Sequence, residues 1–180
     1  MSKFIIEGGQ RLHGTITASG NKNAALKLLP ACLLTDEPVI LHNIPAIRDV
    51  ENTILILSDL GAEVTPLGGG SWRVHAHDTP KTELDARLAG RTRASFVFAG
   101  PLLARAGRVC LPIPGGDVIG GRPLDTHVQA LTALGATVNV NRRGVFEREA
   151  PRLRGAGYLL LAEASVTATE HTVMTAVLFA

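Results

Sequence analysis

This sequence of 180 residues has few aromatic residues, two cysteines and a small net charge. Aromatic side chains make up 4% of the chain, and the formal net charge is only +2. Both values argue against nucleic-acid binding, which depends on stacking surfaces and on a strong positive charge. No apolar run reaches the ~20 residues that cross a bilayer as a helix, and residues 1–7 lack the apolar length of a signal peptide. We therefore expect an ordered, cytoplasmic protein without nucleic-acid or membrane partners.

The side chains that commonly bind metal ions show no ligand spacing. Cys32 and Cys110 both lie in apolar runs, which is typical of reduced, buried thiols in a cytosolic protein. The histidines form no metal or catalytic-triad pattern, and we interpret them as mostly surface or hairpin residues: His13, His42, His75, His77, His127 and His171. The sequence thus predicts neither a metal ion nor another cofactor.

Hydrophobic periodicity predicts an α/β unit of helix, strand, helix and hairpin after a short N-terminal segment. The N-terminal segment alternates apolar and polar residues at 3–7 and 11–18, which predicts two strands. The elements of the unit are a helix kinked by Pro30, a strand, a second helix that ends at Gly61, and a hairpin: residues 22–34, 39–42, 49–60 and 62–76. Such a unit buries its apolar face only against neighbouring units.

The same unit then recurs along the chain. An offset of 71 residues places Lys22-Asn23-Ala24 on Arg93-Ala94-Ser95, and an offset of 74 residues places Leu57–Val64 on Leu131–Val138. A second hairpin is predicted at 136–141 and 145–149, and a third copy begins at Gly157 and enters a helix near Ser165. We expect two complete units and part of a third, as in a fragment of a longer protein.

A Gly-rich loop at residues 114–125 separates a predicted strand from a predicted helix. Its glycines allow positive φ angles and close approach of the backbone to a ligand. Asp117 lies in its middle, and Arg122, which precedes a proline, is favoured in an extended conformation. The loop lacks the Gly-Lys-Ser/Thr ending of a nucleotide-binding P-loop. A ligand-binding loop and an ordinary turn with a solvated arginine both remain open at this point.

The repeat places two cations at equivalent positions, Lys22 and Arg93, each at the start of a predicted helix. A cation there opposes the helix dipole, which favours anions at that end. Two such cations suggest a bound anion near both helix starts, where free N–H groups also favour phosphate. The alternative is a pair of solvated surface side chains.

Several motifs together resemble the UDP-N-acetylglucosamine enolpyruvyl transferases, in the superfamily of EPSP synthase. The motifs are Ser19-Gly20-Asn21-Lys22-Asn23-Ala24-Ala25-Leu26, Arg93-Ala94-Ser95, Gly100-Pro101-Leu102, Pro114-Gly115-Gly116-Asp117, Gly120-Gly121-Arg122-Pro123-Leu124-Asp125 and Leu134-Gly135-Ala136. Members of this family are more than twice as long and have two domains, each an inside-out α/β barrel of three repeated units. The resemblance implies that residues 20–180 form one incomplete domain and that residues 1–19 are strands of the other.

The resemblance also implies a reaction and a set of residues. Enolpyruvate passes from phosphoenolpyruvate to the sugar 3′-hydroxyl, through a tetrahedral ketal, with release of phosphate, as the first committed step of peptidoglycan synthesis. Lys22 and Arg122 match residues that hold phosphoenolpyruvate, and Asp117 matches a general acid that is usually a cysteine. The remaining matched positions contact the nucleotide sugar: Asn23, Arg93, Pro123, Leu124, Asp125, Thr126, Ser165 and Val166.

Some features depart from the family pattern. Glu163 stands where many members have a lysine near the uridine, and Thr167 replaces a frequent glycine. The catalytic base and further arginines are expected beyond residue 180, so we expect this chain to be inactive without the other domain. Because fosfomycin alkylates the loop cysteine in this family, Asp117 implies resistance. The alternatives are a 3-phosphoshikimate enolpyruvyl transferase and a non-catalytic fragment that binds nucleotide sugar weakly or not at all.

Overall fold

A computed structural model describes residues 3–78, 80–116, 124–140, 146–149 and 153–178. The first unit consists of α1 (Lys22–Ala31), a 3-10 helix (Cys32–Leu34), β1 (Val39–Leu41), α2 (Arg48–Asp59), β2 (Glu63–Gly68) and β3 (Ser71–His75). Asn21 begins α1, because its side-chain oxygen accepts a hydrogen bond from the Ala24 N–H at 2.9 Å. Pro30 lies inside the last turn of α1, and the chain continues as the 3-10 helix after Ala31.

The strands of the first unit form one antiparallel sheet with β3 in the centre. Its strand order is β1-β3-β2, and Val74 of β3 pairs with Val39 on one side and Val64 on the other. The helix α2 ends one residue before the predicted position, and Gly61 then adopts a φ of +102° as the chain turns into β2. The predicted hairpin is confirmed.

The second unit repeats this architecture, which confirms the predicted repeat. Its elements are α3 (Ala86–Ala89), a 3-10 helix (Arg93–Phe98), α4 (Ala99–Ala106), β4 (Arg108–Leu111), α5 (Asp125–Ala133), β5 (Thr137–Val140) and β6 (Phe146–Glu149). Its sheet has the order β4-β6-β5, again with the last strand in the centre and antiparallel pairing on both sides. The short helix α3 was not predicted from the sequence. The turn of the second hairpin lies outside the described residues.

A last helix, α6 (Val166–Ala176), begins the third unit at the predicted place. Ser165 caps it by accepting a hydrogen bond from the Ala168 N–H at 3.3 Å. One apolar core runs through both complete units, with Leu29, Phe98 and Leu131 among its fully buried side chains. Among the helices of the described ranges, none combines the length and apolarity needed to cross a membrane.

The prediction of two strands at 3–7 and 11–18 is wrong for this chain. Residues 3–18 form no strand, and the side chains of Phe4 and Ile16 in this segment are more than nine-tenths exposed. An alternating pattern marks residues that need a covered face, but a strand also needs a neighbouring strand for its backbone hydrogen bonds. No described element provides that edge to residues 3–18.

The prediction of buried, reduced cysteines is confirmed for Cys32, whereas Cys110 is half-buried in β4. Burial raises the pKa of the Cys32 thiol from an ordinary 9.0 to about 11, and the protonated thiol donates a hydrogen bond to the Leu28 carbonyl at 3.3 Å. The folded protein therefore disfavours the thiolate, whereas the unfolded chain forms it once the pH exceeds about 9.

We expect this pKa difference to lower the stability of the protein in alkaline solution. The free energy of unfolding should fall by about 2 kcal/mol more in the wild type than in Cys32→Ala as the pH rises from 9 to 11, because the unfolded thiol loses its proton over most of this range while the folded thiol keeps it. Urea unfolding of both proteins across this range measures the difference. Equal slopes for the wild type and Cys32→Ala would contradict the prediction.

Candidate functional site

A cleft of about 250 Å³ lies beside the start of α1 and the start of the 3-10 helix at Arg93. Among the described residues, the charged or titratable side chains that line it are four cations, one histidine and one carboxylate: Lys22, Lys27, Arg91, Arg93, His127 and Asp49. This excess of positive charge suits a ligand that carries more than one negative charge. The cleft is therefore the candidate binding site of the chain.

Matching local structures position the two cations that the repeat predicted. Asn21 caps α1 directly before Lys22, and Thr92 caps the 3-10 helix directly before Arg93 by accepting from the Ala94 N–H at 3.3 Å. Lys22 and Arg93 thus each begin a helix, and both line the same cleft. The structure brings these two residues together, while their binding roles remain predictions.

The anion that offsets the unfavourable position of Lys22 is part of the protein. Lys22 Nζ contacts the Asp49 carboxylate, which lies in the first turn of α2. Two cations at helix starts suggest a bound ligand when only the sequence is considered. This inference is weakened for Lys22, because Asp49 already supplies the negative charge.

A second lysine of the cleft is also paired. Lys27 Nζ lies 3.1 Å from Glu170 Oε2, and the Lys27 side chain is only 15% exposed. This pair joins α1 of the first unit to α6 of the third, so that it bridges the ends of the described repeat. Because the pair is partly buried, water and salt screen its attraction less than they screen that of a surface ion pair.

The start of the Gly-rich loop contacts the cleft through its backbone. A side chain at Gly116 would place its Cβ 3.0 Å from the Arg93 nitrogen, and one at Gly115 would place it 1.6 Å from the Gly90 carbonyl oxygen. Both glycines are therefore required for close backbone packing. Asp117, Arg122 and Pro123 lie outside the described residues, so their placement and the choice between ligand loop and ordinary turn stay at the level of prediction.

The other predicted site residues divide into two groups. Asn23 and Leu124 line the cleft, whereas four described residues do not: Asp125, Thr126, Ser165 and Val166. Asp125 lies in the first turn of α5, and Thr126 is buried. Ser165 serves as the cap of α6. Of the two departures from the family pattern, Thr167 lines the cleft, and Glu163 is exposed outside it.

The interpretation of His127 and His171 as surface residues is wrong. Both are buried, and their Nδ1 atoms lie 3.0 Å apart in a hydrogen bond, with Phe96 edge-on to each ring. Since one Nδ1 must donate and the other accept, at least one ring is neutral. The sequence contains a signal for the burial of His127, because this residue lies three and four positions before Ala130 and Leu131, on one apolar helix face.

The absence of a side chain at Gly100 leaves the space in which His171 is buried. A Cβ at Gly100 would lie 2.6 Å from His171 Cδ2 and 2.5 Å from Thr175 Oγ1, so α4 and α6 pack closely there. Three charged residues of the cleft, namely Lys27, Asp49 and Arg91, were not predicted from the sequence. An acid in a first helical turn and a lysine inside a helix are common, and neither pattern reveals a contact with another helix.

The comparisons with known proteins agree on one family. Residues 6–180 match the family model described as EPSP synthase (3-phosphoshikimate 1-carboxyvinyltransferase). The UDP-N-acetylglucosamine 1-carboxyvinyltransferase of Bradyrhizobium diazoefficiens is 49% identical over 97% of this chain and 40% of its own length. The protein of the same name from Borreliella burgdorferi is 47% identical over 99% of this chain and 41% of its own length. The chain thus spans about 40% of the length of these curated relatives.

Solved structures support the fold. The enolpyruvyl transferase NikO from Streptomyces tendae superimposes with a TM-score of 0.73 at 24% identity, over 95% of this chain and 39% of that one. The EPSP synthase of Acinetobacter baumannii gives 0.71 at 16% identity, over 92% and 38%. With the family model and the curated relatives, these matches show that the chain belongs to the EPSP synthase family of enolpyruvyl transferases and corresponds to the N-terminal portion of its members named UDP-N-acetylglucosamine 1-carboxyvinyltransferase.

Proposed function

We propose that this chain is part of an enzyme that transfers enolpyruvate from phosphoenolpyruvate to the 3′-hydroxyl of UDP-N-acetylglucosamine, as the first committed step of peptidoglycan synthesis. The observation that carries the proposal is the cleft in which Lys22 and Arg93 begin two helices of a matched repeat. Its positive charge suits a substrate with a phosphate and a carboxylate. The names of the relatives at 47–49% identity support the choice of acceptor.

The proposed roles follow the resemblance residue by residue. Lys22 and Arg122 hold phosphoenolpyruvate, and the sugar hydroxyl oxygen attacks its C2 while Asp117 gives a proton to C3. A base takes the hydroxyl proton during this attack. The tetrahedral ketal then loses a proton from C3, its C2–O bond to phosphate breaks and the C2–C3 double bond forms again, so that phosphate leaves with the proton that the hydroxyl lost. The proposed contacts of the nucleotide sugar are Asn23, Arg93, Pro123, Leu124, Asp125, Thr126, Ser165 and Val166.

Two parts of this scheme require more than the cleft itself, namely the sugar contacts of Ser165 and Val166 and the catalytic base. Ser165 and Val166 lie outside the cleft lining, so a nucleotide sugar that reaches them must extend past Thr167 along the start of α6. The base and further phosphate ligands are expected in a second domain of the whole protein. We propose that residues 20–180 are most of one inside-out barrel, that residues 1–19 join the other domain, and that the whole protein works in the cytoplasm.

A 3-phosphoshikimate enolpyruvyl transferase is the second candidate, since the matching family model carries that description. The same fold and the same phosphoenolpyruvate chemistry would serve both acceptors. The motif Lys22-Asn23-Ala24-Ala25 favours the nucleotide sugar, because the corresponding motif of the shikimate enzymes is richer in serine and arginine. A non-catalytic fragment that binds nucleotide sugar weakly or not at all is the third candidate. Unlike the two enzymes, it would show no turnover with either acceptor.

Phosphate release with phosphoenolpyruvate and each acceptor in turn tests the proposal. We expect a protein that continues past residue 180 to turn over with UDP-N-acetylglucosamine and not with shikimate 3-phosphate, and the 180-residue chain to show no turnover. Lys22→Ala in the longer protein should weaken phosphoenolpyruvate handling on the order of tenfold to a hundredfold, since a charge-assisted contact is lost. Turnover with shikimate 3-phosphate instead, or unchanged kinetics in Lys22→Ala, would contradict the proposal.

A further inference from the structure

The contact between Lys22 and Asp49 is exposed enough for a dissolved anion to reach it. The side chains of the two residues are 43% and 32% exposed, and both line the cleft. Any anion that approaches the Lys22 ammonium therefore also approaches the Asp49 carboxylate. At such distances a like charge weakens binding of the anion, because water and salt screen it only in part.

The two partners differ in how freely they can move. Asp49 belongs to α2, and its backbone carbonyl accepts a hydrogen bond from Thr53 Oγ1 at 2.8 Å. Its carboxylate also gains from the positive end of the α2 dipole, whereas Lys22 stands at the corresponding end of α1, where a cation is unfavourable. A long lysine side chain can turn toward a ligand, while the short aspartate stays with its helix. The negative charge of Asp49 therefore stays in the cleft when a ligand enters.

We propose that Asp49 is an internal counter-ion that sets the selectivity of the anion site. It holds the Lys22 ammonium at the cleft wall and weakens the binding of any small anion that contacts Lys22 alone. A ligand that also reaches other cations of the cleft, such as Arg91 or Arg93, overcomes this repulsion. The ligand class is a small phosphorylated carboxylate, and this identity rests on the proposed function.

The test titrates inorganic phosphate into the full 180-residue chain at low ionic strength and follows the backbone amide signals of the first turn of α1 by NMR. Asp49→Asn should bind phosphate more tightly than the wild type by on the order of tenfold, and added salt should reduce the gain. Glu51→Gln is the matched control, because it removes the same charge from the same turn of α2 outside the cleft. It should stay within about twofold of the wild type.

Two Lys22 variants distinguish the proposed role of Asp49 from the existence of an anion site at Lys22. Lys22→Met should lose the phosphate response, and the double variant Lys22→Met with Asp49→Asn should lose the gain seen in Asp49→Asn. If phosphate binding depends on Lys22 but Asp49→Asn binds no more tightly than Glu51→Gln, the role of Asp49 is wrong and the anion site stands. If no variant shows a Lys22-dependent response, the anion site of the proposed function fails together with this inference.

Discussion

Replacing Gly20 by alanine is expected to lower the free energy of unfolding by about 2–4 kcal/mol and to displace the start of α1. A Cβ at this position would lie 1.7 Å from the Asn43 carbonyl oxygen and 2.9 Å from its carbonyl carbon. Both atoms belong to the backbone, so no side-chain rotation relieves the overlap. Gly20 directly precedes Asn21, which caps the helix that carries Lys22.

Asn43 cannot easily move away from such a side chain. It has a φ of +57°, a conformation that few residues other than glycine adopt. The next residue, Ile44, is buried and donates its N–H to the Gly70 carbonyl at 2.8 Å. Withdrawal of Asn43 would break this contact between the loop and the hairpin, so the start of α1 should move instead.

Urea unfolding measures the loss of stability, and phosphate titration of the same variant measures the disturbance of the cleft. Gly155→Ala is the control, because no atom lies within 4 Å of its added Cβ and its φ is not in the left-handed range. It should change the unfolding free energy by less than about 0.5 kcal/mol. Equal stability of the two variants would mean that the close packing of Gly20 on Asn43 is absent in solution.

The repeat was predictable because it rests on local signals that each unit carries by itself. Asn21 and Thr92 have side chains that favour helix starts, and Gly61 and Gly135 end helices at positive φ. The pattern of Leu57–Val64 and its copy therefore sufficed to place the second helix and the hairpin of each unit. Since both sheets have the same strand order, the repeated sequence also carried the topology.

The rest of the site depends on contacts between elements that are far apart in the sequence. Lys22 meets Asp49 and Lys27 meets Glu170, and the residues of each pair are equally compatible with solvent-exposed positions. Each of His127 and His171 is a polar residue in the sequence, and only the packing of α5 on α6 shows that they form a hydrogen bond with each other. The strand pattern at residues 3–18 fails for the same reason, because a strand requires a partner edge that the segment itself does not contain.

Replacing Asp117 by alanine in a protein that continues past residue 180 is expected to lower the turnover number by about 10²–10⁴-fold, the usual contribution of a positioned general acid. A carboxylic acid and a thiol can each give a proton to C3 of phosphoenolpyruvate, so Asp117→Cys should keep much of the activity. Asp117→Asn removes the proton with little change of shape and should resemble Asp117→Ala. If Asp117→Asn retains wild-type turnover, Asp117 is not the acid.

The same cysteine variant should acquire sensitivity to fosfomycin. A thiolate sulfur attacks an epoxide carbon, the carbon–oxygen bond opens and the oxygen takes up a proton, whereas a carboxylate is a far weaker nucleophile in this reaction. Cys32 cannot replace the loop thiol, because it is buried and its pKa is raised to about 11, and Cys110 is half-buried in β4. Incubation with fosfomycin, followed by assay of residual turnover and by mass measurement, should show time-dependent loss and one added inhibitor only in Asp117→Cys. Inactivation of the wild type at a similar rate would show that another residue reacts, and it would contradict both the expected resistance and the assignment of Asp117 to the cysteine position.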